Sequence, residues 1–382
     1  MNPRTVRLTL LAALAVAACV ALALNLFVPS VRRATSVTPT KPSNTPARVT
    51  ERWRASFPVE VVGLPSVDEQ GVVVTAGESQ TIALSPNGDV LWTTAVAGAL
   101  VNAPRLDSDL VLVAAKRAVV ALNRASGAVV WSAPTAADGE DDNRANEPVV
   151  AGDTVVATTE SGRAYGLDRA TGAIVWSVEL STASTAEPAA GDGVVVVVGI
   201  AQWRALDPVN GATIWSGDLG PYGTSSPVVY ADGARSLAAV ATDEKVIAVD
   251  AHSGEAVWQA DADQSELFQV PTVTADHELL VPDHWGRLAA FDAHDGAFKW
   301  RVDGPDGVAE FGAPAVLGPK LVALSLDEGG PRIAGPNGSS RVETPSAGHG
   351  VAVAPDGQLI VTTWDGPENY VVAYHLKVRN AP

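Results

Sequence analysis

Short apolar runs separated by tight-turn residues follow one another along most of the chain. Residues 147–176 show one such unit, in which the apolar runs are 149–150, 154–159, 163–167 and 173–176. Turn residues such as Gly152-Asp153 and Ser161-Gly162 lie between them. Four short runs of this kind, bounded by Gly and Asp, predict a four-stranded antiparallel sheet. Valine runs such as 194–198 also predict strands, because β-branched side chains pack well on a pleated surface.

The end of this unit recurs along the chain. Five segments end alike, and a sixth, SPNGDVLW (85–92), is one residue shorter; the five are NRASGAVVW (123–131), DRATGAIVW (168–176), DPVNGATIW (207–215), DAHSGEAVW (250–258) and DAHDGAFKW (292–300). Successive tryptophans are 39 to 45 residues apart, at Trp92, Trp131, Trp176, Trp215, Trp258 and Trp300. This period is typical of propeller blades.

Each fixed position of the repeat has a physical reason. An acidic side chain can bond backbone N–H groups two residues on and start the turn, at Asp168, Asp207, Asp250 and Asp292. Glycine supplies a positive φ, at Gly172, Gly211, Gly254 and Gly296. The tryptophan carries about 150–250 Å² of surface, which predicts a wedge between neighbouring blades.

The two ends of the repeat array predict how the ring closes. Residues 311–344 have the strand spacing but lack the tryptophan, and residues 350–378 supply three strands. The missing fourth strand is expected at 52–59, with Trp53 in the motif position. Residues 53–378 divided by eight units give about 41 residues per unit, which fits the period. We therefore predict an all-β, eight-bladed propeller over residues 51–380, with four-stranded antiparallel blades.

The N-terminus predicts attachment to a membrane. Arg4 and Arg7 precede an apolar run from Leu8 to Val28, interrupted only by Thr9 and Asn25. A run of this length can cross about 30 Å of hydrocarbon as a helix and exceeds an ordinary secretory h-region. An uncleaved anchor over 1–33 is therefore preferred to a lipoprotein signal acylated at Cys19 and to a cleaved signal. All three predict a propeller on the extracytoplasmic side.

The composition and the charge of the chain limit the kinds of molecule that we expect it to bind. Residues 34–50 are rich in Thr and Pro and predict an extended linker. Residues 1–50 carry six basic and no acidic side chains, so subtracting their +6 from the net charge of −17 leaves −23 for the remainder. A surface this acidic repels a phosphate backbone, so binding to nucleic acid is disfavoured. Cys19 is the only cysteine, which excludes an internal disulfide. A monomeric ring attached to the membrane is expected.

The repeated D-x-x-[TS]-G-x-x-x-W ending resembles that of the PQQ-like (pyrroloquinoline-quinone-type) repeat superfamily of β-propellers. The resemblance covers residues 51–378, and the single-domain length is similar to that of the BamB-like non-enzymatic scaffolds in the superfamily. Other members are quinone-dependent dehydrogenases, which bind PQQ with Ca²⁺ and, in the alcohol enzymes, use a pair of adjacent cysteines. This chain lacks the cysteine pair and an evident carboxylate cluster, so no catalytic, cofactor or metal site is predicted.

A binding surface is expected where the loops between blades meet the central channel. Glu147 and Glu187 hold equivalent positions there, each just before a proline. Trp203 and the Asp283-His284-Trp285 segment lie in loops of the same face, and both tryptophans fall outside the repeat position. They are interpreted either as partner anchors or as caps of the channel. The leading hypothesis is a membrane-tethered scaffold that binds a protein or another envelope component; the alternatives are a small PQQ/Ca²⁺ dehydrogenase and a ligand-sensing ectodomain.

Overall fold

The computed structural model describes residues 43–61, 64–76, 79–100, 103–135, 143–180, 184, 186–220, 224–261, 270–283, 287–303, 313–318, 321–324, 331–336, 338–342, 348–365 and 368–377. Regular structure in these ranges is β-strand. Within them, no helix has the length and hydropathy needed to cross a bilayer. The predicted helical membrane segment, 1–33, falls outside the described residues.

The strands form eight four-stranded blades, numbered here in chain order. Blades 1 to 4 contain β2 (Ser66–Asp68), β3 (Gly71–Ala76), β4 (Gln80–Leu84), β5 (Val90–Ala95); β6 (Arg105–Asp107), β7 (Leu110–Ala115), β8 (Ala118–Asn123), β9 (Val129–Pro134); β10 (Val149–Ala151), β11 (Thr154–Thr158), β12 (Arg163–Asp168), β13 (Ile174–Glu179); β14 (Ala189–Gly191), β15 (Val194–Val198), β16 (Gln202–Leu206), β17 (Thr213–Asp218).

Blades 5 to 8 complete the ring and include the first strand of the chain. They contain β18 (Val228–Asp232), β19 (Arg235–Ala241), β20 (Lys245–Asp250), β21 (Ala256–Asp261); β22 (Thr272–Val273), β23 (Glu278–Pro282), β24 (Leu288–Asp292), β25 (Phe298–Val302); β26 (Ala315–Gly318), β27 (Leu321–Leu324), β28 (Arg332–Gly335), β29 (Gly338–Val342); β30 (Gly348–Val353), β31 (Leu359–Asp365), β32 (Glu368–Lys377) and β1 (Ser43–Phe57). The predicted eight-bladed all-β propeller is thus confirmed.

β1 is the outermost strand of blade 8. It pairs antiparallel with β32 from Arg48↔Lys377 to Phe57↔Asn369. Its first residues reach the neighbouring blade and pair parallel with β29, at Ser43↔Ser340 and Ala47↔Val342. The strand therefore joins blades 7 and 8, and it begins inside the range 34–50 whose composition predicts a linker.

The antiparallel order of the strands gives the ring two different ends. One end, here called the loop end, carries the connections between blades and the hairpins between second and third strands. The other, here called the turn end, carries the turns between first and second strands and between third and fourth strands. Because β1 is a fourth strand that pairs with β32 from Lys377 onwards, the chain enters the ring at the turn end.

The core is divided into layers between blades. The described residues form eight hydrophobic clusters, and each contains residues of two neighbouring blades. β15 shows how a continuous valine run serves this arrangement, since Val194, Val196 and Val198 face blade 5 whereas Val195 and Val197 face blade 3. Every buried strand therefore contributes to two layers, which explains why its sequence is apolar at consecutive positions.

The repeated tryptophan and glycine meet across the boundary between blades. The Trp176 indole nitrogen donates to the Pro208 carbonyl of the next blade at 2.8 Å. Gly211 of the same turn has φ +72°, and a Cβ there would lie 2.7 Å from the Trp176 ring. The same donation to the next blade occurs from Trp53, Trp92, Trp131, Trp215 and Trp258. The motif of one blade thus has its partner in the motif of the next.

Blade 7, whose sequence lacks the tryptophan, interrupts this series. Trp300 of blade 6 donates instead to the Glu278 carboxylate of its own blade, at 3.1 Å. On the other side of blade 7, the parallel pairing of β1 with β29 supplies main-chain contacts. The two boundaries of blade 7 are therefore built differently from those between blades 1 and 6.

Charged side chains in the turns between third and fourth strands reach back to the preceding blade. Arg124 is buried and pairs with Asp68 at 2.7 Å. The exposed His294 pairs with Asp232 through Nδ1 at 2.8 Å. That hydrogen bond raises the pKa of His294. The boundaries between blades thus combine an apolar layer with an ion pair at the turn end.

Candidate functional site at the channel entrance

A residue followed by proline precedes the first strand of most blades, at the loop end of the channel. In blades 3 and 4 this residue is Glu147 and Glu187, which lead directly into β10 and β14. Proline at this point fixes φ and holds the preceding residue in an extended conformation. The two glutamates consequently take equivalent positions in adjacent blades.

Buried amide and hydroxyl groups fix the backbone around both glutamates. The Asn146 side chain donates to the Thr158 hydroxyl at 2.8 Å and to the Ser184 carbonyl at 3.0 Å. The Thr158 hydroxyl donates to the Ala186 carbonyl at 3.0 Å. Because these bonds run from blade 3 to the segment just before Glu187, they hold the two glutamates in a set relative position.

The amide of Glu187 is held from the other side as well. It donates to the hydroxyl of Ser226, a buried residue of blade 5, at 3.0 Å. Ser226 occupies in blade 5 the position that Glu187 occupies in blade 4. The entrance is therefore a series of equivalent positions in which only blades 3 and 4 carry acids among the residues described here.

Arg105, at the start of β6, is the cation beside this pair. Its guanidinium lies 3.8 Å from the Glu147 carboxylate, and its side chain is 49% exposed whereas that of Glu147 is 15% exposed. Arg105 is in blade 2, so three consecutive blades each place one charged group at the entrance. We call Arg105, Glu147 and Glu187 the entrance triad.

Burial in the triad favours the protonated forms of both glutamates. Burial, and then the charge of Glu187, raise the pKa of Glu147 well above its usual range, while Arg105 acts in the opposite sense. Burial raises the pKa of Glu187 to about 7, again against the effect of Arg105. Two interacting carboxyl groups favour holding one proton between them. The site can therefore accept hydrogen bonds from a cationic group. When such a group binds, it can take the place of the proton that the two carboxyl groups hold.

Trp203 does not lie where an exposed anchor would be. It is 3% exposed and packs edge to face on Trp215, with ring centroids 5.1 Å apart. Its neighbour across the strands is Gly217, where a Cβ would lie 2.5 Å from the Trp203 indole nitrogen. The glycine makes room for the ring in the layer between blades 4 and 5. Trp203 is thus a core residue, and the prediction of a partner anchor at this position is corrected.

The Asp283 side chain is also buried, at the hairpin of blade 6. It forms an ion pair with the Arg287 guanidinium, and its Oδ1 accepts the Arg287 amide at 2.8 Å. This bonding joins the two strands of the hairpin, and Asp283 is not among the charged groups that shift the pKa values of Glu147 and Glu187. His284 and Trp285 lie outside the described residues.

Arg105 is the member of the triad that sequence reasoning missed. Its position carried a signal, because it follows Ala103-Pro104 just as β10 follows Glu147-Pro148. Aligning the prolines of blades 2 and 3 would have placed Arg105 one blade away from Glu147 at the same end of the channel. Glu147 and Glu187 were predicted at this entrance, and the structure brings them close enough to interact.

The repeats of the ring match a known protein family. The family model described as "Outer membrane protein assembly factor BamB" matches residues 46–202 and again residues 201–354. These two matches cover most of the chain. The chain belongs to the BamB family. No curated protein matches it.

Solved structures share the fold of this BamB-family chain at low identity. BamB from Moraxella catarrhalis matches with a TM-score of 0.66 and 19% identity, over 86% of this chain and 99% of that one. The quinohemoprotein alcohol dehydrogenase from Comamonas testosteroni matches with a TM-score of 0.65 and 14% identity, over 87% of this chain and 78% of that one. A second such enzyme, ADHIIG from Pseudomonas putida HK5, has a TM-score of 0.62 and 13% identity, with the same coverage.

The quinone of those enzymes can be tested against the residues at the entrance. Asn146 is the amide beside the acid pair, and its nitrogen is already bound to Thr158 and to backbone carbonyls. The chain has no cysteine beyond Cys19. Among the described residues, no three His, Cys, Asp or Glu side chains come together as a metal site would require. Within the described part of the chain, the residues that the resemblance implies for a quinone are not brought together at the entrance, and we derive no step through it.

Proposed function

We propose that this BamB-family propeller is a binding scaffold, tethered to the membrane by its N-terminus and held on the extracytoplasmic side. It takes a basic segment of a protein partner at the entrance triad. The observation that supports this proposal most is the partly buried acid pair, Glu147 and Glu187, held in a fixed position beside one exposed cation. An Arg or Lys side chain can replace the proton of the pair and gain charge-assisted hydrogen bonds.

The two ends of the ring support the same arrangement. β1 enters blade 8 at the turn end, where Arg48 pairs with Lys377, and we place the tether that precedes it at that end. Glu147 and Glu187 lie at the opposite, loop end. A protein held in this way presents its entrance triad away from the bilayer. The large negative charge of residues 51–382 would further favour a basic partner through long-range attraction.

Site-specific photo-cross-linking in intact cells tests this proposal. A photoreactive residue at position 105, in the triad, should form a protein adduct, and Glu147→Gln combined with Glu187→Gln should abolish that adduct. The same residue at the exposed position 70, at the turn end, is the matched control and should form no such adduct. A control substitution, Glu179→Gln, removes an exposed carboxylate elsewhere and should leave the adduct unchanged.

Two outcomes would overturn the scaffold proposal. An adduct that survives the double glutamine variant would show that the acid pair does not take part. Equal adducts from positions 70 and 105 would show that the loop end has no preference for a partner. A propeller that fractionates with the soluble proteins of the cell would refute the membrane tether.

A quinoprotein dehydrogenase is the alternative, favoured by the fold shared with the two quinohemoprotein enzymes. Purified protein incubated with PQQ and Ca²⁺ would then gain a quinone absorbance and reduce a dye in the presence of an alcohol or a sugar. The scaffold proposal predicts neither change.

A further inference from the structure

Exposed aliphatic side chains gather at one part of the ring. Among the described residues, nine large apolar side chains are exposed, and eight of them lie at the turn end of blades 1 to 4. We call these eight the aliphatic arc: Val90, Leu91, Val129, Val130, Ile174, Val175, Val209 and Ile214. The ninth, Ile200, lies at the loop end, in the hairpin of blade 4.

A β-bulge in the outermost strand causes this exposure. In blade 2, Trp131 pairs with Ala121 and Val129 pairs with Leu122, so Val130 has no partner in β8. The bulge places two successive aliphatic side chains toward solvent while the tryptophan stays buried. The same register shift precedes the tryptophan in blades 1, 3 and 4. The arc is therefore a repeated backbone feature.

The bulge is present elsewhere in the ring, but there its residue is charged or less exposed. In blade 8 the unpaired residue is Arg52, in blade 6 it is Lys299, and in blade 5 it is the half-buried Val257. The turns of blades 5 and 6 also carry the exposed residues His252, Glu255 and His294. In blades 2 to 4, by contrast, the exposed residues of 125–130, 170–175 and 209–214 include no charged side chain. In blade 1 the exposed Asp89 precedes Val90, so the arc is free of charged neighbours in its own turns only from blade 2 onwards. Eight exposed aliphatic side chains at one end of so acidic a protein indicate an apolar partner.

We propose that the aliphatic arc rests on the phospholipid surface of the membrane that holds the tether. This inference depends on the proposed tether. β1 enters the ring at the turn end, in blade 8, which is next to blade 1, where the arc begins. Fourteen residues separate Val28 from Ser43, so the chain between them can span at most about 50 Å. Arc and tether thus lie at the same end of the ring, close to the bilayer.

The chemistry of the arc fits lipid better than protein. Hot spots of protein interfaces are enriched in Trp, Tyr and Arg, and the arc contains none of them. Aliphatic side chains can enter the boundary between headgroups and acyl chains. The exposed Arg48 and Arg52, on the strand that leads in from the tether, would face the headgroup phosphates. Because the arc spans only blades 1 to 4, this contact tilts the ring toward that half.

Photo-cross-linking of the full chain in phosphatidylcholine vesicles containing a minor fraction of phosphatidylglycerol tests the inference. A diazirine amino acid in place of Val130 or Val175 should form lipid adducts. The same residue in place of Ile200 is the matched control, being equally apolar and exposed but at the loop end. Val130→Asp combined with Val175→Asp should remove the lipid adducts formed from position 91, whereas Ile200→Asp should not.

Each result separates this inference from the tether on which it rests. A chain that floats with the vesicles but forms no lipid adduct from positions 130 and 175 overturns the inference and leaves the tether standing. Adducts between two copies of the chain at these positions overturn it in favour of a dimer. A chain that does not float with the vesicles overturns the tether and the inference together. Circular dichroism of each variant confirms that the ring is folded.

Discussion

Gly211→Ala should be much more destabilising than Gly233→Ala, although the two glycines have nearly the same backbone conformation. Their φ values are +72° and +65°. Alanine in this region costs about 1–2 kcal/mol at either position. At Gly233 a Cβ has no atom within 4 Å, but at Gly211 it lies 2.7 Å from the Trp176 ring. Overpacking of that kind adds about 1–3 kcal/mol, so Gly211→Ala should lose about 2–5 kcal/mol in total.

Urea unfolding of the purified full chain in detergent, followed by far-UV circular dichroism, measures both losses. A double-mutant cycle with Trp176→Leu tests their cause, because removing the indole should relieve most of the steric cost. The coupling free energy between positions 176 and 211 should then be about 1–3 kcal/mol. Equal losses for Gly211→Ala and Gly233→Ala, or additive effects in the cycle, would refute the argument that tryptophan and glycine pack across the boundary.

Three further predictions concern other parts of the ring. Gly217→Val should lower the free energy of unfolding by about 1–3 kcal/mol by crowding Trp203, and an unchanged urea midpoint would contradict the burial of that ring. The hydrogen bond with Asp232 raises the pKa of His294, so its stabilising effect is present at acidic pH and is lost as the pH rises through the raised pKa. His294→Gln should therefore flatten the dependence of the melting temperature on pH above about 6.5; an unaltered profile would exclude the pair. Burial raises the pKa of Glu187 to about 7, so the protein should lose stability between about pH 4.5 and pH 7, and Glu187→Gln should reduce that loss in thermal melts; an equally steep loss in the variant would oppose the assignment.

The sequence predicted the ring because its strongest signals are local and repeated. Asp168, Gly172 and Trp176 lie within one turn and one strand of the sequence, so their spacing alone indicates a blade. The burial of Trp203 depends on its register against Gly217, which no local pattern shows. Blade 3 pairs Ala164 with Val178 at the position where blade 4 pairs Trp203 with Gly217, and aligning the two blades could have revealed this exchange of side-chain sizes.

The entrance and the arc were harder to predict for a different reason. Glu147 and Glu187 could be placed by their prolines, but their pKa values depend on burial and on the Arg105 guanidinium from another blade. The exposure of Val130 results from a bulge, which shifts a residue by one place relative to the neighbouring strand. Simple alternation would assign Val129 and Val130 to opposite faces, so pattern reasoning cannot find a surface made of both.

The pairing of β1 with β32 also decides when the molecule can finish folding. More than 300 residues lie between Phe57 and its partner Asn369, so this contact has a large loop-closure cost and forms after the local hairpins. Until then the chain is an open row of blades, with Val72 and Leu84 of blade 1 uncovered on the side that blade 8 later seals. During that interval β1 of one chain can insert into blade 8 of another. Ring closure is therefore the step that commits the chain either to a monomer or to a strand-exchanged dimer. Refolding at a lower protein concentration should favour the monomer.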